Sequence, residues 1–313
     1  MKREFIYMIK VNLMICFLLA GVKASSQQDN HFLLENFAPL VNNPAYTGDK
    51  DLNDLILMTR QQWTGFEGAP VSYLLATQFS LRDKNASIGA DIHNNSAGPV
   101  KETGVFFCYS YKVVLSDKSA LYLGLKGGVS ILHISLSDLL IIDPGDKLFI
   151  SDVNNIILPN LGTGLHFVYQ NYYFDFSVPS LIRNKLSPKG VAGVNNENRE
   201  DRTVITGSGA KFQIGENIIL HPAVSVWLVK GAPMLLETRF SATLQKLGAG
   251  LVYRPLSAVG GFIDYGFRDD IRVGYAFEFP VSMFSGIKTG THEVFFGYNF
   301  SFTKQKTLSP RKF

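Results

Sequence analysis

Apolar and polar residues alternate with period two along much of this chain, in segments of about 9–13 residues. In Leu121 to His133 the odd positions Leu121, Leu123, Leu125, Gly127, Val129 and Ile131 are apolar or small, and the even positions include Tyr122, Gly124, Lys126, Gly128 and Ser130. Ile271, Val273, Tyr275, Phe277 and Phe279 share one face, with Arg272, Gly274, Ala276 and Glu278 on the other. Leu236, Thr238, Phe240, Ala242 and Leu244 oppose Glu237, Arg239, Ser241, Thr243 and Gln245, and Val294, Phe296, Tyr298, Phe300 and Phe302 fall together. Successive side chains of a strand point to opposite faces, so each segment predicts a strand with one apolar face.

The length of the alternation discriminates further. Globular strands average ~5–6 residues, whereas a tilted strand crossing a bilayer needs ~9–11. Strands are predicted near 54–64, 70–82, 86–93, 103–115, 119–135, 161–170, 171–180, 203–214, 217–229, 233–246, 247–255, 257–268, 270–279 and 291–303. That is about fourteen, an even number, as a bacterial barrel requires. Short turns such as Phe267-Arg268-Asp269-Asp270 and Gly215-Glu216-Asn217 alternate with insertions at 136–160, 181–202 and 280–290. The expected fold is therefore all-β, a transmembrane antiparallel barrel of outer-membrane type, with short connections on the periplasmic side. Aromatic residues near strand ends, among them Trp63, Tyr73, Tyr109, Tyr111, Tyr169, Tyr172, Tyr173, Trp227, Tyr253, Tyr265 and Tyr298, suit two interfacial girdles. A secreted β-sandwich is the competing architecture, with shorter strands and a less aromatic outer face.

Composition agrees: the 313 residues are 46% hydrophobic and 18% charged, too apolar for disorder. The formal charge of +4 owes +3 to Lys2, Arg3, Lys10 and Lys23 set against Glu4 in a leader, so the rest carries about +1 and has no nucleic-acid character. A basic start, an apolar run from Val11 to Val22 and small residues at Ala24 to Ser26 predict a signal peptide over 1–26, with cleavage after Ser26 or, alternatively, Ala24. A segment over 27–53 then precedes a barrel over 54–303, and a basic tail occupies 304–313. Cys108 is the one cysteine outside the leader, so no internal disulfide is expected.

Candidate chemistry is sparse. The six histidines lack metal-ligand spacing, and His166 falls on a lumen face beside Gly162 and Gly164. Asp143-Pro144-Gly145-Asp146 lacks the oxygen-ligand repeat of a calcium loop, and the glycines of Gly124-Leu125-Lys126-Gly127-Gly128 relieve crowding in a strand rather than cradle phosphate. His93-Asn94-Asn95-Ser96 reads as a turn, not a catalytic triad. No catalytic residue, metal ligand or cofactor site is expected, and no enzyme.

More specific are Asn42-Asn43-Pro44-Ala45-Tyr46-Thr47-Gly48 and Arg60-Gln61-Gln62-Trp63-Thr64-Gly65-Phe66-Glu67-Gly68-Ala69-Pro70. They resemble the N-P-A-[YF]-x-G turn, R-x-Q-W strand end and G-x-P turn that open the PorP/SprF family of outer-membrane proteins, found with the type IX secretion system of Bacteroidetes. Ser87 to Pro99 resembles that family's next strand and turn, with Asn95 where Asp is commoner. Ile271 to Glu278 resembles its G-Y-S-Y-D strand, departing at Ala276, Phe277 and Glu278, and Thr291-His292-Glu293-Val294 its closing S-H-E segment. The residues carrying the resemblance are Asn43, Pro44, Ala45, Gly48, Arg60, Gln62, Trp63, Gly68, Pro70, His292 and Glu293, with a role in barrel structure or in docking. Arg60 and Gln62, on the face continued by Met58, are placed to line the lumen or bond the amino-terminal segment.

The resemblance implies an outer-membrane accessory of type IX secretion and, in gliding bacteria, of adhesin export. Implied partners are membrane lipid, secreted proteins with type IX C-terminal domains, and periplasmic peptidoglycan-associated parts of the machine. A passive porin or apolar-solute channel is the alternative. The lumen-side residues Lys112, Lys126, Arg239, Glu237, Arg272 and Glu278 mix both signs, so no ion preference emerges.

Overall fold

The computed structural model describes residues 31–49, 53–81, 85–135, 153–184, 201–281 and 289–300. The predicted leader, the Asp143–Asp146 turn and the basic tail lie outside these residues. The described strands are β1 (Asn53–Gln61), β2 (Val71–Leu81), β3 (Ala86–Ala97), β4 (Val100–Ser116), β5 (Ser119–Ile134), β6 (Val153–Tyr169) and β7 (Tyr172–Val178). Next come β8 (Thr203–Ala210, resuming as Phe212–Ile214), β9 (Ile218–Val229), β10 (Leu235–Leu244), β11 (Leu247–Arg254), β12 (Ala258–Gly266), β13 (Ile271–Pro280) and β14 (Thr291–Phe300). Each pairs antiparallel with its sequence neighbour, and β1 pairs with β14 from Asn53↔Phe300 to Gln61↔His292. The sheet thus closes into a fourteen-stranded barrel, which satisfies the backbone groups that lipid cannot.

The alternation sorts side chains as expected. On β5, Leu123, Leu125, Val129 and Ile131 point outward, while Tyr122, Lys126, Ser130 and Leu132 are buried inward. Outward aromatics gather near both ends, with Tyr73, Tyr253 and Phe279 at one and Tyr111, Tyr169, Tyr172, Tyr265 and Tyr298 at the other. Tyr173 and Trp227 depart from the girdle pattern. Both line the lumen, where Tyr173 Oη meets His221 Nε2 at 2.8 Å and Trp227 packs against His31.

Three boundaries differ from the sequence reading, each for a local reason. β3 runs on through His93-Asn94-Asn95-Ser96, and the turn lies at Gly98-Pro99, where Gly98 has φ +54°. β6 starts at Val153 rather than near 161, so Pro159 belongs to a strand, opposite Val129. β7 pairs with β6 only as far as Thr163↔Val178, and the Pro159 carbonyl accepts from Asn184 Nδ2 beyond that point. The missing N–H of Pro159 therefore faces the β7 side above the end of β7, where no ladder needs it. The interruption of β8 at Lys211 lies beside Pro222 of β9, since the register Ala223↔Gly209 continues to Leu220↔Phe212 across it. Proline lacks the donor that the ladder would use there.

One end carries only connections of two to four residues, 82–85, 117–118, 170–171, 215–217, 245–246 and 267–270. The other carries the long connections 62–70, 135–152, 179–202 and 281–290 together with the short ones 98–99, 230–234 and 255–257. Bacterial barrels turn short connections to the periplasm and long ones outward, which assigns the inner and outer ends.

Candidate functional site

The lumen is occupied by the chain itself. Residues 31–49 make three short 3-10 turns, Glu35–Phe37, Pro39–Val41 and Pro44–Tyr46, inside the barrel. Leu33, Leu34, Phe37, Ala38, Leu40 and Ala45 are buried, and Phe37 stacks on Phe295 of β14 with ring centroids 4.0 Å apart. Burying each large apolar side chain contributes ~1.5–3 kcal/mol, so these contacts hold the segment in place together with the polar ones.

The Asn43-Pro44-Ala45 motif explains its own turn. Asn43 caps it, its Oδ1 accepting from Ala45 N at 3.0 Å, and Pro44 supplies the fixed φ of a first helical position. Asn43 Nδ2 donates to the Leu165 carbonyl at 3.0 Å, Ser110 Oγ to the Ala45 carbonyl at 3.1 Å, and Tyr46 Oη to Asp175 at 2.7 Å. Asp175 also meets His166 at 2.6 Å, on the lumen face predicted for that histidine. The wall makes room with glycines: a Cβ on Gly124 would overlap the backbone of Pro44 and Ala45, and one on Gly164 would overlap Asn43 Oδ1. Gly48, at φ +133°, closes the motif in a conformation that favours glycine.

Nearer the outer end, a buried chain of alternating charges clamps the start of the segment. Glu293 accepts from Leu33 N at 2.8 Å and Leu34 N at 2.9 Å, and pairs with Arg60 directly opposite across the closing strands. Arg60 reaches Glu278 at 3.0 Å, Glu278 pairs with Arg254 at 2.6 Å, and Arg254 and Arg239 each meet Glu237 at 2.7 Å. Arg239 returns to the segment through Glu35 at 3.4 Å, and Glu35 accepts from Asn42 Nδ2 at 3.0 Å. Lys126 adds a separate brace, with Asp91 at 2.8 Å and the Val41 carbonyl at 3.0 Å. The mixed signs of the lumen face thus pair with one another. Arg254 and Glu35 complete this network without any local signal in the sequence.

Without Glu35 the clamp balances three arginines against three glutamates. Burial, and then the carboxylate of Glu237, push the Glu35 carboxyl up to about 7. A carboxyl raised on folding adds stability below its unfolded value, and loses it as pH rises through the folded one. The segment should therefore resist protease better at pH 5 than at pH 8, and Glu35→Gln should flatten that difference in limited proteolysis of the detergent-solubilised barrel.

The remaining motif residues sit at the outer rim. Gln62 is buried and its N–H donates to Pro70 O at 2.9 Å, so the two pin the base of the 62–70 connection. Trp63 lies past the end of β1, half-buried, with φ 47°. Gly68 has φ 72°, and its carbonyl accepts from Gly98 N at 2.8 Å. His292 is on the outward face, bonded to Tyr275 Oη at 2.7 Å. The motif residues therefore form two groups, one buried against the lumen segment and one on the rim. A cavity of about 120 Å³ remains between the segment and β7–β10, lined by Tyr173, Asp175, His221, Ser225, Trp227 and Arg239 among others. Among the described residues no cluster of three His, Cys, Asp or Glu side chains is arranged to hold a metal ion.

The sequence profile of the PorP/SprF type IX secretion system membrane proteins matches residues 24–298. The chain belongs to this family. The match takes in the lumen segment, both motif groups and the barrel as far as Tyr298, so in this PorP/SprF protein the internal segment is part of the family unit. A comparison with curated proteins gives no significant match. Similar solved structures include the CymD monoaromatic hydrocarbon channel, 11% identical over 92% of this chain and 97% of that one, with a TM-score of 0.52. Another is the toluene transporter TbuX of Ralstonia pickettii, 12% identical over 91% and 97%, with a TM-score of 0.50. At such identities the likeness is one of fold, that of an outer-membrane barrel.

Proposed function

We propose that this PorP/SprF protein acts as an anchor in type IX secretion, holding particular secreted proteins at the cell surface through its outer connections, with no chemical step of its own. The observation that supports this most is the filled lumen. Residues 31–49 are fixed by buried charge pairs, main-chain hydrogen bonds and apolar packing, which suits a rigid platform better than an open pore. The partners of this reading are secreted proteins with type IX C-terminal domains and periplasmic peptidoglycan-associated parts of the machine. In a gliding host the cargo would include surface adhesins. Deleting the gene in its host should remove proteins with type IX C-terminal signals from the surface, as read by mass spectrometry of surface and medium. An unchanged surface with reduced small-solute uptake would reject the anchor.

A second reading, a solute channel, draws on the cavity beside β7–β10, where the segment leaves space against the wall. Planar-bilayer recordings separate the two. The anchor predicts a closed barrel that conducts when residues 31–49 are deleted, and the channel predicts stable conductance from the intact chain.

A further inference from the structure

We propose that the amino-terminal segment leaves the barrel through its outer mouth, so that the mature amino terminus is displayed at the cell surface and not in the periplasm. β1 starts at the inner end, with Asn53 opposite Phe300. Followed backwards from there, the contacts of the segment climb the lumen. Asp49 lies 3.5 Å from His166 Nε2, three residues from the inner end of β6. Val41 is met by Lys126, near the middle of β5. Leu33 and Leu34 are held by Glu293, two residues from the outer end of β14. The His31 ring packs edge-on against Trp227 at 3.9 Å between centroids, two residues from the outer end of β9.

On β9 about two strand residues of wall remain beyond Trp227, or roughly 7 Å at ~3.4 Å per residue. Cleavage after Ser26 would leave Gln27, Gln28, Asp29 and Asn30 ahead of His31. Four residues can reach up to about 14 Å, about twice that remainder, and all four are polar. The way back down is filled by Leu33, Leu34 and Phe37, each buried in the lumen. The inference uses the outward assignment of the long connections and does not depend on the anchoring role.

Single cysteines test it in the chain carrying Cys16→Ser in its leader, since the other cysteine, Cys108, is buried and stays silent. Gln28→Cys, Glu67→Cys in the 62–70 connection and Lys118→Cys in an inner turn would be exposed to a membrane-impermeant maleimide, on intact cells and after lysis. Gln28→Cys should label on intact cells as Glu67→Cys does, with Lys118→Cys reacting only after lysis. Reaction of Gln28→Cys only after lysis, or not at all, while Glu67→Cys labels on intact cells, overturns the proposal. Labelling of Lys118→Cys in place of Glu67→Cys would reverse the barrel and overturn it as well. None of these readouts involves cargo, so loss of the anchor reading would leave the result intact.

Discussion

Glu293→Ala should release the lumen segment while the barrel still forms. The substitution removes the acceptor for Leu33 N and Leu34 N, and strands Arg60 beside a single remaining partner, Glu278. Breaking a buried ion pair by removing one member costs about 3–5 kcal/mol, because the other charge stays buried. Each orphaned buried N–H adds ~1–3 kcal/mol. The fourteen-strand ladder does not use the Glu293 side chain, so heat-modifiable gel mobility should persist. Protease should cut ahead of Asn43, and planar-bilayer conductance should rise from closed to open. Glu293→Gln keeps the size and one carbonyl acceptor, so its effect should be intermediate. Replacing both Arg60 and Glu293 by Met should cost less than Glu293→Ala, since the clamp then balances Arg239 and Arg254 against Glu237 and Glu278. A Glu293→Ala barrel that stays closed and protected would show that the apolar packing and the other polar contacts hold the segment without this clamp.

Gly124→Val should unseat the Asn43-Pro44-Ala45 turn from the other side. The added side chain would overlap backbone atoms of Pro44 and Ala45, which cannot yield as a flexible side chain would. The turn is also pinned by Asn43 on the Leu165 carbonyl and by Ser110 on the Ala45 carbonyl, so moving it breaks both bonds. Overpacking typically costs ~1–3 kcal/mol, and the lost bonds add to it. Gly127→Val, three residues along the same strand but on the outward face, meets only Leu161 Cδ2 at 3.3 Å and serves as the control. A lowered melting temperature and faster proteolysis of the segment for Gly124→Val, with Gly127→Val close to the parent, are the expected pair. Equal behaviour of the two would mean that strand flexibility, not seating, is what the glycines provide.

The barrel was legible because lipid demands strict alternation over a long strand, and that pattern is local. The even positions of β5 carried Gly124, Lys126 and Gly128, and a lumen face with reduced bulk was correctly read from them. Pro159, next to Asn160 and at the end of the 136–160 insertion, reads as part of a loop; the strand tolerates it because β7 ends lower on the wall. What occupies the lumen was not legible. Glu293 meets Leu33 across a separation of 260 residues, and no periodicity reports such a pairing. Arg60 and Glu293 stood out as motif residues, but their direct opposition follows from barrel closure. The burial of Asn43, Pro44 and Ala45 likewise favours a seating role for that motif over one in which a partner reads it directly.

The clamp also has a bearing on biogenesis. The segment it holds is among the first parts of the chain to be made, and Glu293 belongs to the last strand described. The partner that neutralises Glu293, Arg60, comes from the first strand and reaches it only when the two strands pair. Closing the sheet and fastening Leu33 and Leu34 on Glu293 are therefore one event, and a chain stalled short of β14 lacks that clamp on its beginning. Such an intermediate would present a loose apolar stretch from Leu33 to Leu40 to periplasmic chaperones and proteases, while a completed molecule hides it. The same contact that fills the lumen would let quality control distinguish finished barrels from unfinished ones.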